Sequence, residues 1–365
     1  MTVELQNPIT RTRNYGVDLL RIVAMFMVLF LHILGNGGIL FEVEVLSPHG
    51  IVAWFFEMAT FSAINCYGII SGYVGVNAKY KYSNLVLLWL QIAAYCTLIT
   101  LIYHLRYPEL VPSSAFLKAF FPICNAQYWY VTAYAGMFLL MPLLSGGARS
   151  LTKKQFKLTL IAMFIALSVL PSVFNRDIFA TLWGYSALWL SFLYLIGAYI
   201  KLHGFFKNSV KVSLALYSIC TVISWAVKLW EEHVSTEGKY ADLASGFIAQ
   251  YSSPTMVLSG IALFVIFANL NVSPYLHKAI KIISPCAFGV YIIHAHPLLW
   301  DRLITYRYAH YINYNPFLMM LFVLLTALVM FVLFAFVDFI RLKIFELLRI
   351  KQLLLKAEEK LLGGE

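Results

Sequence analysis

Apolar runs of about 20 residues, the length a helix needs to cross a bilayer, follow one another along almost the whole chain with only short polar loops between them. Ten such runs are readable, at 17–37, 51–74, 84–104, 127–145, 156–174, 184–202, 209–230, 248–269, 279–301 and 316–340. This pattern predicts an all-α integral membrane protein, with about ten transmembrane helices in one bundle and no soluble domain interrupting them. The stretch AFLKAFFPIC, 115–124, is too short to span and reads as interfacial. Residues 1–340 form the membrane domain on this reading, and 341–365 form a tail, RLKIFELLRIKQLLLKAEEKLLGGE. The tail sets Leu and Ile against Lys and Arg at near-helical spacing. That suits an amphipathic basic helix on the inner leaflet, drawn to anionic lipids. A solvated or partner-binding helix is the alternative.

Composition agrees: 61% of the 365 residues are hydrophobic and 12% are charged, where a soluble protein carries about a quarter charged. Charge placement orients the bundle. With a cytoplasmic N-terminus, one side collects 19 of the Lys and Arg residues, among them Arg13, Lys79, Lys81, Arg149, Lys153, Lys154 and those of the tail. The other side holds six: Arg106, Lys118, Arg176, Lys239, Arg302 and Arg307. Basic loops stay inside, so both termini are expected in the cytoplasm and the acidic loop at 231–242 outside. The net charge of +10 is explained by that asymmetry and needs no nucleic-acid partner. A multi-pass protein of the cell membrane is expected. Cys66, Cys96, Cys124, Cys220 and Cys286 show no paired spacing and read as small buried hydrophobes rather than disulfide or metal ligands. No small-residue cleavage site follows the first run, so no removable leader is expected.

The first run, DLLRIVAMFMVLFLH, carries an aspartate, an arginine and a histidine. A helix turns about 100° per residue. Eleven steps from Arg21 to His32 therefore return to the same face, within about 20°. Asp18 lies three residues before Arg21, and Asn36 lies four after His32. Asp18, Arg21, His32 and Asn36 thus form one polar stripe. Facing lipid, such groups cost about 2.5–3.5 kcal/mol each, so the stripe faces the bundle interior or a wet cavity. The rise of 1.5 Å per residue puts His32 about 16 Å above Arg21, in the outer half of the bilayer. The plainer alternative is an Asp18–Arg21 pair near a helix start, with Arg21 snorkelling and His32 bonded to a neighbouring carbonyl.

Other spans carry candidates at similar depths. Glu57 either orients His32 or snorkels to the outer water. Gly68, Ser71 and Gly72 allow close helix approach. In QYWYVTAY the rings suit an interfacial belt, while Gln127 and Tyr134 are placed to reach a site. His294 and His296, in FGVYIIHAHPLLW, lie near the depth of His32. Three histidines raise the question of zinc, but an HxH spacing without nearby carboxylates or thiolates does not make a metal site, and none is expected. On the inner side Arg21, Lys79, Lys81, Lys153 and Lys154, with Arg149, are placed to cradle phosphates, although basic inner loops are expected in any case.

The block VDLLRIVAMFMVLFLH resembles the first-span signature of the bacterial membrane acyltransferase-3 family, an Arg, ten residues and a His, matched here by Arg21 and His32. GIISGYVG resembles the family's Ser-Gly-Tyr block, YWYVTAY its aromatic block and GVYIIHAHPL its Tyr-x-x-His. These matches run in order along nearly the whole chain. The chain departs from the family after span two. Many members have Arg-x-x-Arg there, and here NAKYKYSNLVLLW offers only Lys79 and Lys81, point charges rather than forks.

The resemblance implies an O-acyltransferase that moves an acyl group, typically acetyl, from cytosolic acyl-CoA to a hydroxyl of a cell-surface or cell-wall glycan, or of a lipid-linked saccharide. Acyl-CoA is a substrate, and no permanently bound cofactor is implied. Arg21, Lys79, Lys81, Lys153 and Lys154 then meet the CoA phosphates, and His32 meets the thioester. A histidine, with a pKa of about 6.5, suits general-base work on a sugar hydroxyl. An acyl-imidazole route is equally open. Asp18 is expected to hold Arg21. Glu57, Asn36, His294, Gln127 and Tyr134 are candidate support. Membrane lipids and a second copy of the chain are further candidate partners. Two other classes remain: a transporter or flippase, whose intramembrane ions mark a pathway, and a non-catalytic module of a cell-wall complex.

Overall fold

In the computed structural model, residues 13–205, 209–236 and 250–362 are described. Arg11, Lys207, Lys239 and the 237–242 part of the acidic loop lie outside them.

Among the described residues the chain is helical throughout, with no strand. The first helix, α1 (Tyr15–Leu34), starts where the Asn14 side chain accepts the Val17 N–H, and it ends at Gly35. There follow α2 (Ile39–Glu42), α3 (Pro48–Thr60), α4 (Ala63–Gly75), α5 (Ser83–Arg106), α6 (Ala115–Phe120) and α7 (Trp129–Ser150). Next come α8 (Lys153–Phe164), a π turn at Ile165–Val169, α9 (Leu170–Phe174), α10 (Ala187–His203) and α11 (Ser209–Thr236). The last part comprises α12 (Pro254–Ala268), α13 (Pro274–Ile283), α14 (Ala287–His294), α15 (Pro297–Leu303), α16 (Pro316–Leu347) and α17 (Ile350–Leu362).

Among the described residues, seven helical stretches are long and apolar enough to cross a membrane: 15–42, 83–106, 129–150, 153–174, 209–234, 274–294 and 316–347. Of the other runs read from sequence, two coincide with the shorter apolar helices α10 and α12. The 51–74 run is not one helix. It breaks at Phe61 and Ser62 between α3 and α4. The Thr60 hydroxyl bonds back to the Phe56 and Glu57 carbonyls at 2.8 and 3.2 Å, competing with the helical ladder at the break. The ninth run is also interrupted, by a 3₁₀ turn at Ser284–Cys286, where Pro285 lacks the N–H a continuous helix needs.

Helix α1 lies at the centre, against α3, α4, α12, α13, α14 and α16. Leu20 and Leu29, about 180° apart around it, are both fully buried. Helices α4 and α10 cross with backbones in contact. A Cβ on Gly72 would stand 1.8 Å from the Tyr194 carbonyl oxygen, and one on Gly197 would stand 1.9 Å from that of Ile69. Small residues at a crossing let two membrane helices gain dispersion contact along their length. Phe317, Leu333, Phe336 and Leu347 leave one face of α16 apolar and exposed, as a lipid-facing surface must be.

Helix α16 runs without interruption through the expected domain boundary at 340 and ends at Leu347. Arg341 is therefore not a loop cation. It forms a two-pronged ion pair with the fully buried Asp338, at 2.7 and 2.9 Å from its NH2 group. Asp338 also accepts from the Tyr95 hydroxyl at 2.7 Å. Beyond it, α17 folds back against α5, and Glu358 accepts the Tyr82 N–H at 2.5 Å. The tail helix thus contacts the bundle while Leu353 and Leu361 stay exposed.

Candidate active site

The polar stripe on α1 is real over its first fifteen residues, Asp18 to His32, and stops short of its last member. Asp18 is buried and accepts from Arg13 and from Arg21. The Tyr67 hydroxyl donates to the Arg21 carbonyl at 2.6 Å, fixing that turn of α1 against α4. Asn36 does not continue the stripe. The helix has ended two residues earlier, at Leu34, in a Gly35–Asn36–Gly37–Gly38 turn whose glycines disfavour helix. Its side chain is exposed. Its carbonyl accepts the Tyr306 N–H at 2.9 Å, and Gly37 takes that of Tyr308 at 2.9 Å.

His32 is partly buried and meets His294 from α14, with Nδ1 of the first 2.9 Å from Nε2 of the second. His294 Nδ1 lies 2.6 Å from the Val290 carbonyl oxygen. A carbonyl only accepts, so that nitrogen carries the hydrogen. With both rings neutral, His294 Nε2 then accepts from His32 Nδ1–H. The tautomer of His32 follows: its lone pair is on Nε2, turned away from His294. Trp300 stands edge-on to the His32 ring at 5.0 Å between centroids. His296 takes no part in this pairing, since its Nδ1 accepts the Leu298 N–H at 3.2 Å and starts α15.

Toward the other end of α1, a cavity of about 600 Å³ opens beside Arg21. Its walls are ring-rich, with Tyr67, Tyr130, Tyr134 and Phe138 among them, and Lys79, Lys81 and Arg149 line it as well. A column of rings connects it to the histidines. Tyr130 lies 6.2 Å from Tyr291, and Tyr291 lies 5.9 Å from His294. The arrangement offers cations at one end and a basic ring nitrogen about 16 Å along the helix axis, with packed rings between them; neither His32 nor His294 lines the cavity.

A family model described as an acyltransferase domain, acyltransferase 3, matches residues 14–337. The chain belongs to the acyltransferase-3 family. With its apolar helices, it is a multi-pass membrane acyltransferase. No curated protein and no solved structure matches the chain.

Within this acyltransferase, Arg21, Lys79, Lys81 and Tyr134 share one cavity, while Lys153 and Lys154 do not line it. Both sit exposed in the first turn of α8, drawn out to solvent by the helix start. Glu57 is buried, with Oε2 unpaired among the described residues. Its electrostatic neighbours are Tyr185 and Tyr251, not His32. Gln127 leaves its Oε1 buried and unpaired among the described residues. Sequence reasoning passed over Trp300, the Val290 carbonyl and the Asp338–Arg341 pair. The last had a readable sign, the same Asp-x-x-Arg spacing as Asp18 and Arg21. Asp338 also presses on α14. A Cβ on Gly289 would be 2.1 Å from its Cγ, so the helix that carries His294 is seated against this pair.

Proposed function

We propose that this acyltransferase takes an acyl group, acetyl in size, from cytosolic acyl-CoA and esterifies a hydroxyl of a surface or cell-wall glycan or its lipid-linked precursor. The observation that carries the reading is the His294-bound tautomer of His32, which leaves Nε2 as a base. The proposed topology has ten spans in the cell membrane, with both termini in the cytoplasm. Phosphates meet Arg21, Lys79, Lys81 and Arg149 at the inner end. The thioester reaches the level of His32, and the acceptor arrives from the outer side. Residues 14–337 carry the chemistry, and the tail borders the donor side.

In the proposed step, His32 Nε2 takes the proton of the acceptor hydroxyl as its oxygen bonds to the thioester carbon. Collapse of the tetrahedral intermediate breaks the C–S bond. The imidazolium returns the proton to sulfur, giving an ester and CoA thiol. An acyl-imidazole route would use the same nitrogen; trapping of acyl-enzyme by hydroxylamine separates the two. The two interrupted runs, second from each end of the ten, favour a transport reading as the alternative. Purified protein given radiolabelled acyl-CoA and a glycan acceptor decides between them. Ester formation that is lost in His32→Ala supports transfer, whereas glycan movement across vesicles without any ester supports transport. Mass analysis of surface glycans from wild-type and deletion cells identifies the acceptor.

A further inference from the structure

Few basic residues lie in the loops on the histidine side of the bundle, yet two of them converge on one tyrosine. Arg302, on α15, has its guanidinium carbon 4.4 Å from the centre of the Tyr107 ring and 5.5 Å from that of Tyr103. Arg106, the last residue of α5, approaches the same Tyr107 ring at 6.0 Å. Both arginines are exposed. Neither has an ion-pair partner among the described residues, although Asp301 and Glu109 are close in sequence. Asp301 accepts instead from the Thr305 hydroxyl at 3.0 Å. Two like charges gathered round one ring repel. The rings hold the guanidinium groups by cation–π attraction, and an anion between them would relieve the repulsion. Just below, Leu98, Leu101, Ile102 and Leu105 stand exposed on α5. Their spacing of three and four residues puts them on one helix face, an apolar strip that runs up to Arg106.

Helix α15 places this pair beside the base. Trp300, which stands edge-on to the His32 ring, precedes Arg302 by two residues. Two residues turn a helix by about 200°. His32 and the arginines therefore flank α15 on opposite sides, about one helix diameter of 10–12 Å apart. A ligand that fits has three parts: an apolar chain for the α5 strip, phosphate oxygens for the two guanidinium forks, and a polar head that turns toward His32. Resting on the transfer reading above, we propose that the acceptor is a lipid-linked saccharide whose phosphate is held by Arg106 and Arg302. The site thus selects the lipid-linked precursor over the finished glycan, which brings no lipid for the strip. The esterified hydroxyl belongs to a sugar close to the phosphate, not to one far along a polymer.

The test measures binding to the full-length protein in phosphatidylcholine nanodiscs. The probes are geranylgeranyl pyrophosphate, uncharged geranylgeraniol, inorganic pyrophosphate and phosphatidylglycerol. The wild type should bind geranylgeranyl pyrophosphate about tenfold or more tightly than any of the others. Arg302→Ala and Arg106→Ala should each weaken that binding about tenfold or more, the loss expected for a charge-assisted hydrogen bond. Arg302→Lys should restore part of the loss. Arg307→Ala, which removes an exposed cation outside the site, should cause none. Thermal unfolding at the wild-type temperature shows that the variants are folded. Equal affinity for phosphatidylglycerol would make the pair an ordinary anionic-lipid contact, and equal affinity for inorganic pyrophosphate a soluble-anion site. Either result overturns the proposal, as does a loss in Arg307→Ala as large as that in Arg302→Ala. Ester formation from acyl-CoA on a water-soluble glycan is assayed separately. Ester without arginine-dependent binding of the lipid pyrophosphate overturns this site and leaves the transfer reading standing. Arginine-dependent binding with no ester on any acceptor overturns the transfer reading, and the acceptor role with it.

Discussion

His32 and His294 share a hydrogen bond that ends on a backbone carbonyl, a neutral partner rather than a carboxylate. His32→Ala should lower acyl transfer by about 10²–10⁴-fold, the usual contribution of a general base. His294→Ala should cost less, because it removes the tautomer lock and keeps the base. Single-turnover rates at fixed pH check the order, and equal losses would argue that both rings touch substrate. Asp338 makes a prediction of a different kind. Asp338→Ala strands a partly buried guanidinium at Arg341, and the loss should approach the roughly 3–5 kcal/mol seen when one partner of a fully buried pair is removed. Thermal unfolding in detergent should show a clear loss of stability, with weakened transfer through the displaced α14. The stripe from Asp18 to His32 was legible because helical spacing is arithmetic. The meeting of His32 with His294 was not, because 262 residues separate them and only tertiary packing sets their distance. Asn36 misled because the periodicity was extended past a glycine-rich stop that the sequence itself displays.

At the scale of elements, the runs of apolar residues located the helices, and their breaks came from local competition that hydropathy does not register. Thr60 bonding back into α3 and Pro285 in the ninth run are single-residue effects inside stretches that look uniformly apolar. The tail helix illustrates a different limit. Its amphipathic pattern was plain, but one apolar face can be covered by lipid or by protein, and the pattern does not distinguish them. Here α17 meets α5, and the Glu358 carboxyl is held below its ordinary value by the Ser83 hydroxyl, then by the N–H groups of Tyr82 and Ser83 and the charge of Lys81. A carboxyl with a lowered folded value stabilises docking above its undocked pKa of about 4.5 and loses that contribution as pH falls through the lower folded value. Hydrogen exchange in residues 350–362 should therefore be flat from pH 8 to 6 once intrinsic rates are removed, and should rise in acid. Glu358→Gln should remove that acid dependence. An unchanged acid response in the variant would place the docking energy elsewhere.

For the molecule as a whole, the ring-lined cavity and the histidine pair lie toward opposite ends of one central helix, so orientation decides which side meets the donor. Charge asymmetry across the loops argues for cytoplasmic ends. Single cysteines introduced at Lys154 and at Arg307 should react with an impermeant maleimide only from the inside and only from the outside, respectively. Labelling of both from one side would invalidate the ten-span topology. The family was legible in short ordered motifs. The cavity was not, because it is walled by residues from α1, α4, α7 and α14 that no local pattern groups.

Helix α1 is continuous from Tyr15 to Leu34 and contains no proline. Arg21 and His32 are therefore the two marks of a rigid gauge, with about 16 Å between them along the axis. On the mechanism proposed above, a donor gripped at the first mark would deliver its acyl group only if its own length matched. Acetyl phosphate, whose anion and acyl carbon are neighbours, falls short of the second mark however tightly it binds. On that proposal, selection among acyl donors would be made by reach before any chemistry begins.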